Sequence, residues 1–338
     1  MSLATKYRPS ELHEIVGQDI TVKILTRQIE TGNIKNAYIF SGPSGCGKTT
    51  FARAFANRIN GNNFGIIEID AASNSGVDNV RQIISSAQER SINSTYKFFI
   101  IDECHSLSTT AWQAFLKCIE EPPKYTIFIF CTTDPQKIPA TIVNRCMRFN
   151  LSRIPSTLIK NRLEYICKNE GFTNYDNAID YISKVCGGQM RDAISMLETV
   201  ASYSNDISME NTVYSLGNIS YDILFALINY IIDRDEGRVL QTTNYLFESG
   251  ADIKKFADIF SSFVTDLLKY ILLKDISCTQ IPVSFEEEAK KATYFEGSNN
   301  YFEYYQDKML ELRNMLKSDT NPKNTIEVFL LQMCRLKK

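Results

Sequence analysis

The residues best suited to chemistry lie between Gly42 and Thr49, which read Gly-Pro-Ser-Gly-Cys-Gly-Lys-Thr. This spacing matches G-x-x-x-x-G-K-[ST], a loop whose backbone N–H groups surround phosphate oxygens. Lys48 offers a positive charge to the β- and γ-phosphates, and the Thr49 hydroxyl suits Mg²⁺. The apolar run 37–40 predicts a buried strand before the loop, and residues 49–59 predict a helix after it. This context favours a nucleoside triphosphate site over a glycine-rich turn.

A second pair of reactive side chains, Asp102 and Glu103, follows the apolar run 98–101. Acids at the carboxyl end of a buried parallel strand lie where ligands bind in open α/β sheets. We expect Asp102 to hold Mg²⁺ and Glu103 to polarise an attacking water. The alternative is that these acids only cap the next helix; the phosphate loop upstream argues against it. A polar residue after the next strand, in Thr132-Thr133-Asp134, would lie beside Glu103.

Several further residues leave two interpretations open. Residues 1–20 predict either a capped first helix, with Asp19 as its N-cap, or an arm that contacts the base. Residues 77–90 predict a helix, on which Arg81 fits a solvated charge as well as a functional one. Trp112, the only tryptophan, suits internal packing or a partner, and His105 is more typical of a structural hydrogen-bonding residue than of a catalyst.

The composition is that of a globular protein with more than one domain. The chain has 338 residues, of which 44% are hydrophobic and 22% charged, with a net charge of −2. Residues 1–150 carry 16 basic and 13 acidic residues, whereas 151–338 carry 21 and 26, so the first half is the better surface for a polyanion. Nine scattered cysteines without a C-x-x-C pair argue against zinc and for a reducing, cytoplasmic compartment. No apolar run approaches the length of a membrane span.

The pattern of elements changes near residue 155. Residues 1–154 alternate strands and helices, which predicts a parallel sheet flanked by helices. Residues 155–217 predict a three-helix domain, and residues 218–338 predict long helices, ending with a helix over 326–336. The last segment has no catalytic cluster, so we interpret it as a packing or oligomerisation domain.

The ordered motifs resemble the AAA+ ATPases, and among them the gamma/tau subunits of the bacterial clamp loader. The residues that carry this resemblance are Tyr7-Arg8-Pro9, Val16-Gly17-Gln18, the 42–49 loop, 68–74, Asp102-Glu103-Cys104-His105, 116–123, 132–139, Asn144-Arg145-Cys146, 187–193 and Asn321-Pro322. The resemblance implies an α/β AAA+ P-loop domain (1–154), a helical lid (155–217) and an all-α collar (218–338).

The resemblance also implies roles for individual residues. ATP would contact Tyr7, Arg8, Pro9, Val16, Gly17, Gly42, Pro43, Ser44, Gly45, Cys46, Gly47, Lys48, Thr49, Thr50 and Arg191. Mg²⁺ would be held by Thr49 and Asp102, and the residues of hydrolysis would be Lys48, Glu103, Thr133, Arg145 and Arg191. Among these, Thr133 matches the first sensor and Arg191 the second. Arg145 matches a finger that reaches the neighbouring subunit's ATP, which would explain its lack of an acidic partner nearby in sequence. Arg81 and Lys137 match positions that face DNA phosphates.

The function that this resemblance implies is that of an ATPase subunit of a sliding-clamp loader. Its partners would be a ring-shaped clamp, primer–template DNA and other loader subunits in a pentameric spiral, with the helix after Asp102-Glu103, around residues 108–112, as a clamp contact. One alternative is a non-hydrolysing scaffold subunit, which Lys48 and Glu103 argue against. Another is a different AAA+ motor such as a branch-migration helicase, which the lack of a winged domain after the lid argues against.

Three departures from the family pattern limit the resemblance. Only residues 60–65 occupy the place of a four-cysteine zinc module, so zinc is not implied. Asn144 stands where Ser is usual before the finger, which affects the local turn more than the arginine. The chain ends at Lys338, after the collar, without the tau domains that bind polymerase and helicase; this compact form suits a viral or otherwise reduced replication system.

Overall fold

The computed structural model describes residues 1–248 and 250–335. The described chain divides into two compact units. The first comprises Met1–Ile166 with Cys186–Glu198, and the second comprises Cys167–Val185 with the chain from Thr199 onward. The three-domain boundaries at 154/155 and 217/218 stay predictions.

The first unit is built around one sheet of five parallel strands. The strands are β1 (Ala37–Ser41), β2 (Ile66–Asp70), β3 (Lys97–Asp102), β4 (Thr126–Thr132) and β5 (Met147–Asn150). They lie in the order β2-β3-β4-β1-β5, and every neighbouring pair is parallel. The phosphate loop follows β1, near the middle of the sheet. The two acids lie at the carboxyl end of β3, and β4 lies between β1 and β3.

Sixteen α-helices lie among the described residues. In the first half of the chain they are α1 (Leu3–Lys6), α2 (Asp19–Thr31), α3 (Lys48–Asn60), α4 (Val77–Ala87), α5 (Thr109–Glu120), α6 (Ala140–Val143) and α7 (Ser156–Glu170). The remaining ones are α8 (Asp176–Val185), α9 (Met190–Tyr203), α10 (Met209–Ser215), α11 (Tyr221–Ile232), α12 (Glu236–Glu248), α13 (Ile253–Leu273), α14 (Glu286–Thr293), α15 (Ser298–Met315) and α16 (Pro322–Cys334). Short 3₁₀ turns cover Leu12–Glu14, Cys104–Ser106, Pro135–Lys137, Ile276–Cys278 and Val283–Phe285.

Both faces of the sheet are buried, which explains why its strands are apolar runs rather than alternating ones. Alternate residues of β1 and β4 enter different cores: Ile39 and Phe130 pack with α4 and α5, whereas Phe40 and Ile129 pack with α3. Burying a phenylalanine or isoleucine side chain contributes about 1.5–3 kcal/mol. The central strands are thereby fixed in register, with Ser41 opposite Thr132.

The end of α4 shows how the sheet limits a helix. The sequence predicted a helix to residue 90, but α4 ends at Ala87. Donors from β3 and the start of β4 satisfy the last carbonyls: Lys97 Nζ lies 2.6 Å from the Ser86 oxygen, and Thr126 Oγ1 lies 2.8 Å from that of Ala87. Since these carbonyls accept from the sheet, no further turn is needed to satisfy them.

Two other expectations differ from the structure at helix ends. The N-cap of α2 is Gln18, and Asp19 is the first helical residue, where its charge still favours the positive helix end. The last helix, α16, ends at Cys334, and the predicted extension to Leu336 lies outside the described residues.

The second unit is helical, as the periodicity predicted. The apolar stripe of α13 is buried and packs against α15, with Phe260 and Leu267 fully buried. The three helices expected in 155–217 are α7, α8 and α9, and the short α10 follows them.

Trp112 belongs to the core of the first unit. It is 2% exposed, and its ring centroid lies 5.3 Å from that of Phe130. This decides the alternative in favour of internal packing. Within residues 108–112, the stretch proposed to contact a clamp, residues 108–110 are exposed.

Candidate functional site

The phosphate loop is a tight backbone turn between β1 and α3. At Gly42, with φ +155°, a Cβ would lie 2.4 Å from the Leu151 carbonyl oxygen, so only glycine fits there. The Lys48 side chain is buried, and its ammonium donates to the carbonyl oxygens of Gly42 and Pro43, both at 3.0 Å. The ammonium is therefore held at the loop, where phosphate oxygens can replace the two carbonyls.

The two predicted metal ligands lie in contact. Thr49 Oγ1 donates to Asp102 Oδ2 at 2.6 Å, and Asp102 Oδ1 accepts from the Glu103 N–H at 2.9 Å. One hydroxyl and one carboxylate suit Mg²⁺, which binds few protein oxygens and keeps several waters. This donor set fits Mg²⁺ bound together with a nucleotide. Among the described residues there is no cluster of three or more His, Cys, Asp or Glu side chains suited to a metal.

Glu103 follows Asp102 directly in the sequence. Its backbone has φ 46° and ψ 41°, a left-handed conformation that is uncommon outside glycine. Thr133 Oγ1 donates to Glu103 Oε2 at 3.3 Å, and His105 Nδ1 lies 3.2 Å from the same oxygen. The structure therefore brings together the acid, Thr133 and His105 at the carboxyl ends of β3 and β4.

A cavity of about 470 Å³ extends from the loop across the first unit. The sequence-predicted residues that line it are Tyr7, Arg8, Pro9, Val16, Ser44, Gly45, Cys46, Gly47, Lys48, Thr49, Thr50, Asp102, Glu103 and Arg191. The predicted Gly17, Gly42 and Pro43 are not among its lining residues. Of these, Gly17 lies close to Ile154: a Cβ there would lie 3.0 Å from the Ile154 side chain.

The N-terminal arm is attached at two of its predicted ATP-contact residues, Tyr7 and Arg8. The Tyr7 carbonyl accepts from Arg162 Nη2 at 2.8 Å, and Arg8 Nε donates to Thr50 Oγ1 at 3.3 Å. The pKa of Arg8 is lowered, first by burial and then by the nearby charge of Arg53. The arm thus lies along the cavity and places a cation beside the helix that follows the phosphate loop.

Arg191 lies in the first turn of α9, which contacts the loop directly. The Met190 N–H donates to the Gly45 carbonyl at 3.1 Å. At Gly45 itself a Cβ would lie 2.8 Å from the Gln189 Cβ, so the glycine allows this close approach. The loop and the start of α9 therefore form one wall of the cavity.

Comparison with known proteins supports the fold and shows the family. Residues 62–155 match a family model described as DNA polymerase III, delta subunit, and residues 161–202 match an RCF1/5-like AAA+ ATPase lid domain. A DNA polymerase III subunit gamma of Buchnera aphidicola is 31% identical over 97% of its own length and 98% of this chain. The chain belongs to the DNA polymerase III gamma/tau family.

Other gamma/tau relatives are longer than this chain. The tau subunit of Bacillus subtilis is 32% identical over 97% of this chain but only 62% of its own length. The tau subunit of Escherichia coli is 32% identical over 72% of this chain and 41% of its own length. The chain thus spans roughly two to three fifths of these curated relatives.

A solved structure gives the same fold. A Holliday junction branch migration motor, RuvB of Thermotoga maritima, has a TM-score of 0.53 and 20% identity over 67% of this chain and 79% of its own. It shows the AAA+ fold of this gamma/tau-family chain.

Arg145 differs from the expectation drawn for the gamma/tau finger. Arg145 is not among the residues that line the cavity. It has an acidic partner, because its Nη2 lies 2.5 Å from Glu120 Oε1. Its Nη1 also donates to the Thr141 carbonyl at 2.6 Å. The sequence separation of 25 positions hid this partner, which the packing of α5 against α6 brings close. Since a partner distant in sequence is present, the lack of one nearby in sequence gives no support to the finger role, which stays a prediction.

The two predicted DNA contacts lie apart from the cavity, on exposed elements that follow β2 and β4. Arg81 on α4 pairs with Asp78 at 3.0 Å, and Lys137 pairs with Asp134 at 3.5 Å. Both pairs are between exposed side chains, so each costs little to separate.

Several residues at the cavity were not predicted from the sequence. Glu68 lines it and pairs with Arg53 on α3 at 2.5 Å. Ser195 and Glu198 line it as well, and their spacing of four and seven residues from Arg191 is the signal that would have found them. None of the described helices is long and apolar enough to cross a membrane.

Proposed function

We propose that this chain is an ATP-hydrolysing subunit of a DNA sliding-clamp loader. The observation that carries the proposal is the contact of Thr49 with Asp102 beside Lys48, together with Glu103 and Thr133, in a chain of the gamma/tau family. Bound ATP and Mg²⁺ would lie along the cavity, and a clamp, primer–template DNA and further loader subunits in a pentamer would be its partners. Residues 1–154, 155–217 and 218–338 would be the ATPase, lid and collar domains.

The side chains account for the hydrolysis of ATP and water to ADP and phosphate. Lys48 would exchange its two carbonyl partners for phosphate oxygens, and Thr49 and Asp102 would hold Mg²⁺, which would supply positive charge to the phosphates. Glu103 accepts the proton of the water that attacks the γ-phosphorus, and Thr133 orients that water. Arg191 contacts the nucleotide from the start of α9. Catalysis of this kind rests on positioning and charge stabilisation.

The first test is ATP hydrolysis with and without primed DNA and the cognate clamp. We expect the two together to stimulate turnover. Stimulation by a branched DNA junction alone would favour the branch-migration motor, and ATP binding without hydrolysis would favour the scaffold subunit. Glu103→Gln should bind ATP and stall, since the amide cannot accept the proton; normal turnover would exclude Glu103 as the base.

The second test asks whether Arg145 acts on the neighbouring subunit's ATP. Arg145→Ala should bind ATP normally and lose stimulated hydrolysis by about 10³-fold or more. In an equimolar mixture with Glu103→Gln that assembles at random, it should regain about a quarter of wild-type turnover, because one interface in four then combines an intact Glu103 with an intact Arg145. A mixture as inactive as either variant alone would show that Arg145 acts within its own chain.

A further inference from the structure

The environment of Glu103 includes an imidazole that the proposed mechanism does not use. His105 lies in the 3₁₀ turn Cys104–Ser106, which follows β3 directly. The turn is closed by the Ser106 N–H, which donates to the Glu103 carbonyl at 2.9 Å, and it is anchored by the fully buried Cys104. The imidazole is therefore held in a fixed place beside the carboxylate.

Two oxygens lie close to Nδ1 of this imidazole. Nδ1 lies 3.2 Å from Glu103 Oε2 and 3.2 Å from Thr132 Oγ1. Thr132 Oγ1 accepts from the Asp134 N–H at 3.0 Å, and its hydroxyl also bonds the sulfur of Cys104. The hydrogen bond of Nδ1 is with Thr132, and Glu103 Oε2 lies at the same distance; because a carboxylate oxygen only accepts, a proton on Nδ1 is what His105 offers to it.

Thr133 and His105 approach the same oxygen of Glu103. His105 Nδ1 and Thr133 Oγ1 approach Oε2 at 3.2 and 3.3 Å, and among the described contacts neither uses Oε1. A carboxylate fixed through one oxygen presents the lone pairs of the other in a defined direction. A base must lie within hydrogen-bond reach of the proton it accepts, so this direction affects the rate.

We propose that His105 is a positioning residue that holds Oε2 of Glu103, so that Oε1 accepts the proton of the attacking water. This inference rests on the proposed function, since it requires Glu103 to act as the base. His105 does not touch the nucleotide in this assignment: it is not among the residues that line the cavity, whereas Glu103 is. Its loss should therefore lower kcat and leave ATP binding unchanged.

The experiment compares three substitutions at His105 in the stimulated ATPase assay. Asn places its amide N–H near the position of Nδ1, whereas Gln places it near that of Nε2, and Ala removes the donor. We expect His105→Ala and His105→Gln to lower kcat about ten-fold or more, with KM for ATP within about two-fold of wild type. His105→Asn should retain at least about a third of wild-type kcat. Melting temperature and affinity for a fluorescent ATP analogue are measured for each variant.

Wild-type kcat in His105→Ala would overturn the proposal. An equal loss of kcat in the Asn and Gln variants would also overturn the proposal, because it would assign the effect to packing of the ring. A raised KM for ATP with unchanged kcat would overturn it as well. If His105→Ala does not fold, the comparison of His105→Asn with His105→Gln tests the proposal in its place. Wild-type protein and Glu103→Gln are assayed alongside the His105 variants. No hydrolysis by the wild type, or normal turnover of Glu103→Gln, would overturn the proposed function and this inference together. Failure in the His105 series alone would overturn only the role of His105.

Discussion

At the scale of single residues, the site depends on which charged groups are already paired. The Arg145–Glu120 ion pair joins side chains that are 39% and 44% exposed, and such pairs contribute about 0–1 kcal/mol. If Arg145 must reach a neighbouring subunit, it has to leave Glu120 first. The structure therefore adds a small energetic cost that the sequence did not indicate.

Removing that partner should release the arginine. We expect Glu120→Gln to leave ATP affinity unchanged and to raise stimulated hydrolysis by up to about five-fold, the equivalent of the pair's energy. Glu121→Gln is the matched control, because this exposed neighbour is not the ion-pair partner of Arg145. A loss of hydrolysis as large as that of Arg145→Ala would instead show that the pair is part of the active arrangement.

Thiol reactivity should separate one cysteine from the other eight. Cys278 is exposed, whereas Cys46 and Cys131 are buried, and burial raises the pKa of both thiols. Burial also raises the pKa of Cys146 to about 12. Because these pKa values are raised, the thiols of Cys46, Cys131 and Cys146 stay protonated at pH 8, and Cys146 ionises only as the pH is raised toward 12. Only the thiolate reacts, so these three cysteines should be unreactive at pH 8.

We therefore expect one rapidly reacting thiol per chain when native protein is titrated with a chromogenic disulfide reagent at pH 8. Cys278→Ser should abolish this phase, and Cys146→Ser should leave it unchanged. A rapid phase that survives Cys278→Ser would contradict the burial described here.

At the scale of elements, the sequence predicted the phosphate loop, the acids after β3 and the polar tip of β4 because each is a local pattern. A glycine-rich loop between a strand and a helix, or an acid after an apolar run, identifies itself within a dozen residues. The Arg53–Glu68 and Arg145–Glu120 pairs link distant positions. Only the packing of helices on the sheet brings these partners together, so no local pattern could have predicted them. The end of α4 was overestimated for the same reason, since its carbonyls are satisfied by the sheet.

The contact between the phosphate loop and α9 can be tested at Gly45. Gly45 and Gly61 have similar φ values, +68° and +70°, but a Cβ meets Gln189 only at Gly45, and nothing lies within 4 Å at Gly61. Gly61→Ala should cost about 1 kcal/mol of unfolding free energy through backbone strain. Gly45→Ala should cost about 2–4 kcal/mol, because overpacking adds to the strain, and should also weaken ATP binding. Urea unfolding and nucleotide titration measure both; equal costs would show that the contact with Gln189 is not tight.

At the scale of the whole molecule, charge is divided unevenly along the chain. Residues 1–150 have an excess of three basic residues, and residues 151–338 have an excess of five acidic ones. DNA contacts therefore belong to the sheet-containing half, if the proposed function is right. The two candidates, Arg81 and Lys137, lie on elements that follow the carboxyl ends of β2 and β4, and Lys35 precedes β1 at the opposite edge of the sheet.

Salt dependence of DNA binding distinguishes these positions. Each phosphate contact that releases a counterion contributes about 0.7–0.9 to the slope of log K against log salt. Arg81→Ala and Lys137→Ala should each weaken binding of primer–template DNA by the ATP-bound assembly at low salt, without sequence preference, and each should reduce the slope by about 1. Their partners Asp78 and Asp134 reduce the gain from each contact, so substitution of those acids should strengthen binding. Lys35→Ala, an exposed charge at the other edge, should leave the slope unchanged. An equal reduction by all three substitutions would mean that only net charge matters, and that the carboxyl-end edge of the sheet is not the DNA-binding surface.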